Sequence, residues 1–208
     1  GTILVISPWN YPFYQALTPI TAALVAGSTV VYKPSEITPL EGLVESFLER
    51  AGIPEDWVQV VYGAGDVGSQ LIDQRPEKIF FTGSVGTGKK IMAQASQQLI
   101  PVELELGGKD PMLVFDNVTV ERAVQGALWG ALTNVGQSCT SVERLYVQRG
   151  IYKDFRDRLV AAAKQITLGI DTDGSSDMGR MTSPRQVSIV SELVNDAKAN
   201  GATLLCGS

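Results

Sequence analysis

The chain has 208 residues, 44% of them hydrophobic, with 17 basic and 22 acidic side chains and a net charge of -5. That length can bury a core in one domain or two small ones, the interspersed charges offer no basic surface to nucleic acid, and no apolar run reaches the ~20 residues that span a bilayer. The absence of histidine excludes Ser-His-Asp and Cys-His hydrolases, HExxH metalloproteases and His-rich zinc sites, and two cysteines cannot build a structural zinc site, so no metal is expected.

The first element is the strand TILVIS, within an opening GTILVISPWN that has no initiator Met, charged leader or cleavage signal. Apolar, β-rich runs then alternate with segments of helical period, and strands are predicted at STVVYK, WVQVVY, KIFFTG, PVELEL, PMLVF and ERLYVQ. Between them, helices are predicted at residues 14–26, 38–51, 66–74, 85–98, 119–133, 151–165 and 184–199. This alternation is the pattern of Rossmann-like βα units around an open, mostly parallel sheet. In the second helix, Thr38 reads as the N-cap, with Pro39 at the first helical position and Glu41 at the third. The helix is expected to end at Gly52, before Pro54. GIDTDGSSDMG reads as a solvated connection, and ATLLCGS, at the end, as another strand-like run. Both ends read as cuts within a longer protein. ELGGKD interrupts two strand-like runs and places a domain boundary near Leu106 to Lys109.

Two glycine-rich turns compete as anion sites. VQVVYGAGDVGSQL holds Gly63, Gly65 and Gly68 as G-x-G-x-x-G between a strand and a helix, the form of a dinucleotide fingerprint. The acid that such a fingerprint wants at the end of the next strand is missing, because that strand runs into Thr82, Gly83 and Ser84. A plain packing turn fits equally well. FFTGSVGTGKK also opens a helix after a strand, and its Gly83, Ser84, Gly86 and Gly88 could bring N–H groups and a hydroxyl to a diphosphate. It is not a Walker loop, since Lys90 stands where Ser or Thr would be needed.

Cys139 lies in NVGQSCTSVER, after the helical run GALWGALT. A lone cysteine is more often a small buried hydrophobe than a nucleophile, but its polar neighbours weaken that reading. Cys206 and Cys139 are far apart in a chain too large to need stapling, so a reducing, cytoplasmic setting is the expectation.

Five stretches stand in a telling order: SPWNYPF, VVYKPSE, FFTGSVGTGK, LELGGKDP and NVGQSCTS. Together they closely resemble the NAD(P)-dependent aldehyde dehydrogenase superfamily, along essentially the whole chain. The resemblance implies the central part of a longer protein: a nucleotide-binding domain over residues 1–106, lacking its N-terminal portion, and the start of a second α/β catalytic domain over 107–208. It implies Cys139 as the catalytic nucleophile, Glu105 as the general base for hydrolysis and Asn10 as an oxyanion donor, the backbone N–H of Cys139 being the second donor. Lys33 and Glu36 match positions that contact the adenine ribose, Gly83 and Ser84 the turn beside the pyrophosphate, and Trp9 the wall of the cofactor groove. The second glycine turn, not the first, would then take the diphosphate. A carboxylate at Glu36 favours NAD, with NADP possible because Lys33 offsets part of the repulsion.

The implied reaction oxidises an aldehyde, the small-molecule partner, to a carboxylic acid through a cysteine thiohemiacetal and a thioester. Without histidine, local N–H donors, the positive nicotinamide ring and Glu105 would have to activate the thiol. A carboxylate suits Glu105's work when partial burial tunes it toward neutrality. A CoA-acylating relative is the alternative within the class, against which Glu105 argues for water as acceptor. A nucleotide-binding fragment without turnover is the alternative outside it. The resemblance also implies a homo-oligomeric parent protein.

Overall fold

The computed structural model describes residues 1–170 and 173–207. The chain divides into two compact units, Gly1–Gly107 and Gly108–Ser208.

In the first unit the β-branched and apolar runs become strands, and the segments between them become helices. The order is β1 (Thr2–Ile6), α1 (Pro12–Val25), β2 (Thr29–Lys33), α2 (Leu43–Arg50), β3 (Val58–Val60), α3 (Gly65–Asp73), β4 (Lys78–Thr82), α4 (Val85–Ser96) and β5 (Val102–Glu105). The five strands form one parallel sheet in the order β3-β2-β1-β4-β5. Successive side chains on a strand face opposite ways, and β1 feeds both faces. Val5 packs with Ala16, Ile20 and Ala23 of α1 and with Val44 and Leu48 of α2. Leu4 and Ile6 pack with Ile72 of α3 and with Ile91 and Ala95 of α4. Both faces are therefore covered, as a parallel sheet requires. Each fully buried aliphatic side chain in these clusters contributes about 1.5–3 kcal/mol relative to exposure.

In the second unit β6 (Asp110–Val114), α5 (Val120–Leu132), β7 (Val142–Val147), α6 (Tyr152–Ala163) and α7 (Pro184–Ala199) follow in order. β6 and β7 pair in parallel, and their core joins Val114 to Ala123, Val124 and Ala127 of α5 and Phe155 of α6.

Two expectations fail. The second helix starts at Leu43 rather than at Thr38. Leu40 and Gly42 both adopt positive φ, at 49° and 74°, which interrupts any helix through them. The Thr38 hydroxyl donates to the Trp9 carbonyl at 2.9 Å instead of capping. Residues 202–207, within ATLLCGS, form no strand, because an apolar run becomes one only where a neighbour pairs with its backbone. The solvated connection also carries more order than its composition suggests. Thr167 N–H and the Thr167 hydroxyl donate to the Asp177 carboxylate at 2.8 and 2.7 Å, holding that carboxyl below its usual pKa, and Asp177 N–H returns a bond to the Thr167 hydroxyl at 3.0 Å. Asp171 and Thr172 of that connection, and Ser208 at the end of ATLLCGS, lie outside the described residues.

Candidate active site

In the first unit the sheet's strand order reverses direction at β1: the chain moves outward to β2 and β3, then crosses back to β4 on β1's other side. Open parallel sheets bind ligands in the crevice at the C-terminal ends of the strands beside such a reversal. Seven of the eight expected site residues follow those ends. Trp9 and Asn10 come after β1, Lys33 closes β2 and Glu36 follows it, Gly83 and Ser84 follow β4, and Glu105 closes β5. Cys139 belongs to the second unit.

The strand ends are tied to one another. Ser7 N–H donates to the Lys33 carbonyl at 3.2 Å, and the buried Ser7 and Tyr32 hydroxyls lie 2.8 Å apart. Burial pushes the Tyr32 phenol up, the Ser7 bond partly opposes this, and nearby Glu45 adds to it. On the other side Gly83 N–H donates to the Glu105 carbonyl at 3.0 Å. Lys33 is only 3% exposed. Its ammonium donates to the Pro34 carbonyl at 2.9 Å and lies 3.8 Å from the Glu36 carboxylate. Burial lowers its pKa, and the charges of Glu36 and Asp66 partly offset that.

α4 begins beside this edge. Ser84 is its N-cap, accepting from Thr87 N–H at 3.2 Å. Beyond Gly86 a Cβ would meet nothing within 4 Å, so the first turn opens to space. The other turn behaves differently. A Cβ on Gly63 would stand 2.3 Å from Val67 Cγ2, and its φ is 153°, a region that favours glycine. Gly68 packs on the aliphatic stem of Lys33. Strand-to-helix packing therefore accounts for two of the three fingerprint glycines. Along the edge, an exposed helix N-terminus lies on one side of β1 and a lysine and a carboxylate on the other. This donor set fits a molecule carrying a diphosphate and a ribose diol.

Glu105 is exposed at the end of an edge strand, without the partial burial expected of a carboxylate tuned toward neutrality. The cause lies in its position: β5 is the last strand of the sheet, and its burial pattern alternates between half-buried and exposed.

In the second unit Cys139 is half-buried in the turn between α5 and β7. Asn134, Val135 and Gly136 all have positive φ, at 52°, 61° and 71°. For a β-branched residue such as Val135 this conformation is strained, by roughly 1–3 kcal/mol. Ser141, 4% exposed, anchors the far side of the turn: its hydroxyl donates to the carbonyls of Gly130 and Ala131 at 3.4 and 3.3 Å. The Cys139 carbonyl passes close over Gly108, where a Cβ would stand 2.9 Å from its oxygen. A cleft of about 620 Å³ lies in the same unit, lined by residues that include Leu128, Trp129, Thr133 and Val135. Sequence reasoning missed Thr38, Ser141 and Gly108 as parts of this framework. The Gly-Gly pair of LELGGKD, read as a domain boundary, is the signal from which the close approach at Gly108 could have been found.

The aldehyde dehydrogenase family model matches residues 1–208. A 4,4'-diapolycopene aldehyde oxidase from Methylomonas is 45% identical over 203 residues, 97% of this chain and 38% of the relative. A betaine aldehyde dehydrogenase from Brucella ovis is 41% identical over 210 residues, 100% of this chain and 43% of the relative. Among solved structures, a betaine aldehyde dehydrogenase from Staphylococcus aureus in complex with NAD+ superimposes with a TM-score of 0.94 at 38% identity, covering 100% of this chain and 42% of that one. The chain thus spans about two fifths of the length of these relatives. A family model that matches residues 1–208 of the chain and a sheet built as in these relatives lead to one statement: this chain belongs to the aldehyde dehydrogenase family.

Proposed function

We propose that the chain carries the cysteine-based machinery of an NAD-dependent enzyme that oxidises an aldehyde to a carboxylic acid. The observation that carries this reading is the gathering of Trp9, Asn10, Lys33, Glu36, Gly83 and Ser84 at the strand ends around the sheet's reversal. The first unit would be the nucleotide-binding domain, and the second would supply the nucleophile.

When bound, the nicotinamide supplies a hydride acceptor. Lys33 and Glu36 hold the adenine ribose, and the Glu36 carboxylate repels a 2'-phosphate, which favours NAD over NADP. Gly83, Ser84 and the first turn of α4 hold the diphosphate. Cys139 loses its proton to Glu105, directly or through water, and its thiolate adds to the carbonyl carbon. The oxyanion accepts bonds from the Asn10 side chain and the Cys139 N–H. Its collapse expels the hydride and leaves a thioester on Cys139. Once Glu105 has released the thiol's proton to solvent, it takes a proton from water, the hydroxide adds to the thioester, and the thiolate leaves as the acid is released.

Glu105→Gln tests this sequence. Hydrolysis should slow by about 10²–10⁴-fold for a lost general base, and acylation of Cys139 should slow less, because the thiol can also lose its proton to bulk water. With NAD+ and a short aldehyde, intact-mass analysis should find the acyl group retained on Cys139. Wild-type turnover in Glu105→Gln would remove Glu105 from the mechanism. A second reading, a chain that binds the dinucleotide without turnover, is favoured by the two-fifths span of the relatives. Thermal melting with saturating NAD+ but no aldehyde separates the two from a chain that does not bind. Cytoplasmic residence and a homo-oligomeric parent belong to the same proposal.

A further inference from the structure

Thr38 lies on the loop between β2 and α2 that also carries Glu36. That loop is held at both ends. Near its start Ile37 N–H donates to the Ser35 hydroxyl at 3.3 Å. At its end Gly42 N–H donates to the Tyr62 hydroxyl at 3.1 Å, and Tyr62 in turn donates to Glu45 at 2.5 Å. In between, the half-buried Thr38 hydroxyl reaches 29 residues back along the sequence to the Trp9 carbonyl, at 2.9 Å. Pro39 favours this geometry, because the residue before a proline is steered away from helical backbone.

The Trp9 carbonyl shares one rigid peptide plane with the Asn10 N–H. Pinning that oxygen restrains the plane, and the plane sets where the Asn10 N–H and Cα lie and so the base from which its side chain projects. We propose that Thr38 is a positioning residue for Asn10, aiming the oxyanion donor from the loop that carries the ribose-binding Glu36. The proposal rests on the reading of Asn10 as oxyanion donor. A misplacement of a fraction of an ångström at such a donor is enough to slow a reaction.

The test compares Thr38→Val, which keeps the shape and removes the hydroxyl, with Thr38→Ser, which keeps the hydroxyl, using Asn10→Ala as reference. In ¹⁵N spectra of the chain, Thr38→Val should shift the Asn10 backbone resonance and speed its amide exchange about three- to tenfold, the range for one lost neutral hydrogen bond. Thr38→Ser should restore both. In NADH formation, kcat should fall by a similar factor in Thr38→Val with KM for the aldehyde unchanged, and recover in Thr38→Ser. Asn10 resonances unmoved by Thr38→Val would overturn the proposal, and that arm needs no turnover. A Thr38→Val enzyme as fast as wild type, beside an impaired Asn10→Ala, would overturn it while leaving the dehydrogenase reading intact. An Asn10→Ala enzyme that turns over normally would instead overturn the oxyanion reading on which the proposal stands.

Discussion

Lys33 is held in the folded chain at a cost. The residue is 3% exposed, and its ammonium has one carbonyl at 2.9 Å and a carboxylate at 3.8 Å as compensation. Glu36 is itself 55% exposed, so removing the lysine would leave no buried charge behind. Lys33→Met is therefore expected to raise the melting temperature by a few degrees and to weaken NAD+ binding, read by melting and by titration calorimetry. The sign of the pH dependence follows. Because the folded pKa lies below the usual 10.5, protonation opposes folding: the penalty is full at neutral pH and disappears as pH rises through the folded pKa toward 10.5. Lys33→Met should lose that alkaline gain. Gly108 gives a second residue-scale test. A Cβ added in Gly108→Ala would stand 2.9 Å from the Cys139 carbonyl oxygen and 2.6 Å from the Asp110 carboxylate, so both must give way, whereas a Cβ on Gly107 meets nothing within 4 Å. Alkylation of Cys139 by iodoacetamide should change rate severalfold in Gly108→Ala and stay as wild type in Gly107→Ala. Equal rates in both would mean that Gly108 does not shape the Cys139 turn.

Among the elements, α2 depends on a residue outside itself. Gly42, at the N-cap, offers no side chain, and the Tyr62 hydroxyl beyond β3 accepts from the Gly42 N–H while donating to Glu45 in the first turn. Burial and the Glu45 bond push the Tyr62 phenol up to about 12. Its raised pKa stabilises the fold fully below the usual 10.0, and that contribution is lost as pH rises through about 12. Urea unfolding of Tyr62→Phe should be less stable than wild type at neutral pH by about 1 kcal/mol, and the difference should shrink across that alkaline window. A constant difference would separate the loss from the hydroxyl's ionisation. The strands and most helices are legible in the sequence because their signals are local. The strand predicted at TILVIS is β1, whose Leu4 and Ile6 pack on one face and Val5 on the other, and the helix predicted from residue 85 is α4, which Ser84 caps. Thr38 is misread because the capping pattern at Thr38, Pro39 and Glu41 is equally local, while the Trp9 carbonyl that claims its hydroxyl arrives through strand pairing. Glu105 is legible as a strand end but not as an exposed edge, since strand order is a property of the whole sheet.

At the scale of the whole molecule, two parallel α/β units divide the candidate machinery between them. Asn10 and Glu105 come from the first and Cys139 from the second. The candidate cofactor edge is proposed from five motifs in order, whereas its geometry depends on the reversal at β1, which no single motif encodes. The strained turn before Cys139 is silent in sequence, because only the folded backbone reveals left-handed conformations at Asn134 and Val135. The most direct measurement is NADH formation by this chain with NAD+ and a panel of aliphatic and aromatic aldehydes, with Cys139→Ser alongside. Turnover in the wild-type chain, abolished in Cys139→Ser while NAD+ binding is kept, is the expected result. Turnover that persists in Cys139→Ser would contradict the cysteine mechanism, and a folded wild-type chain that forms no NADH would contradict the claim that this chain completes the reaction.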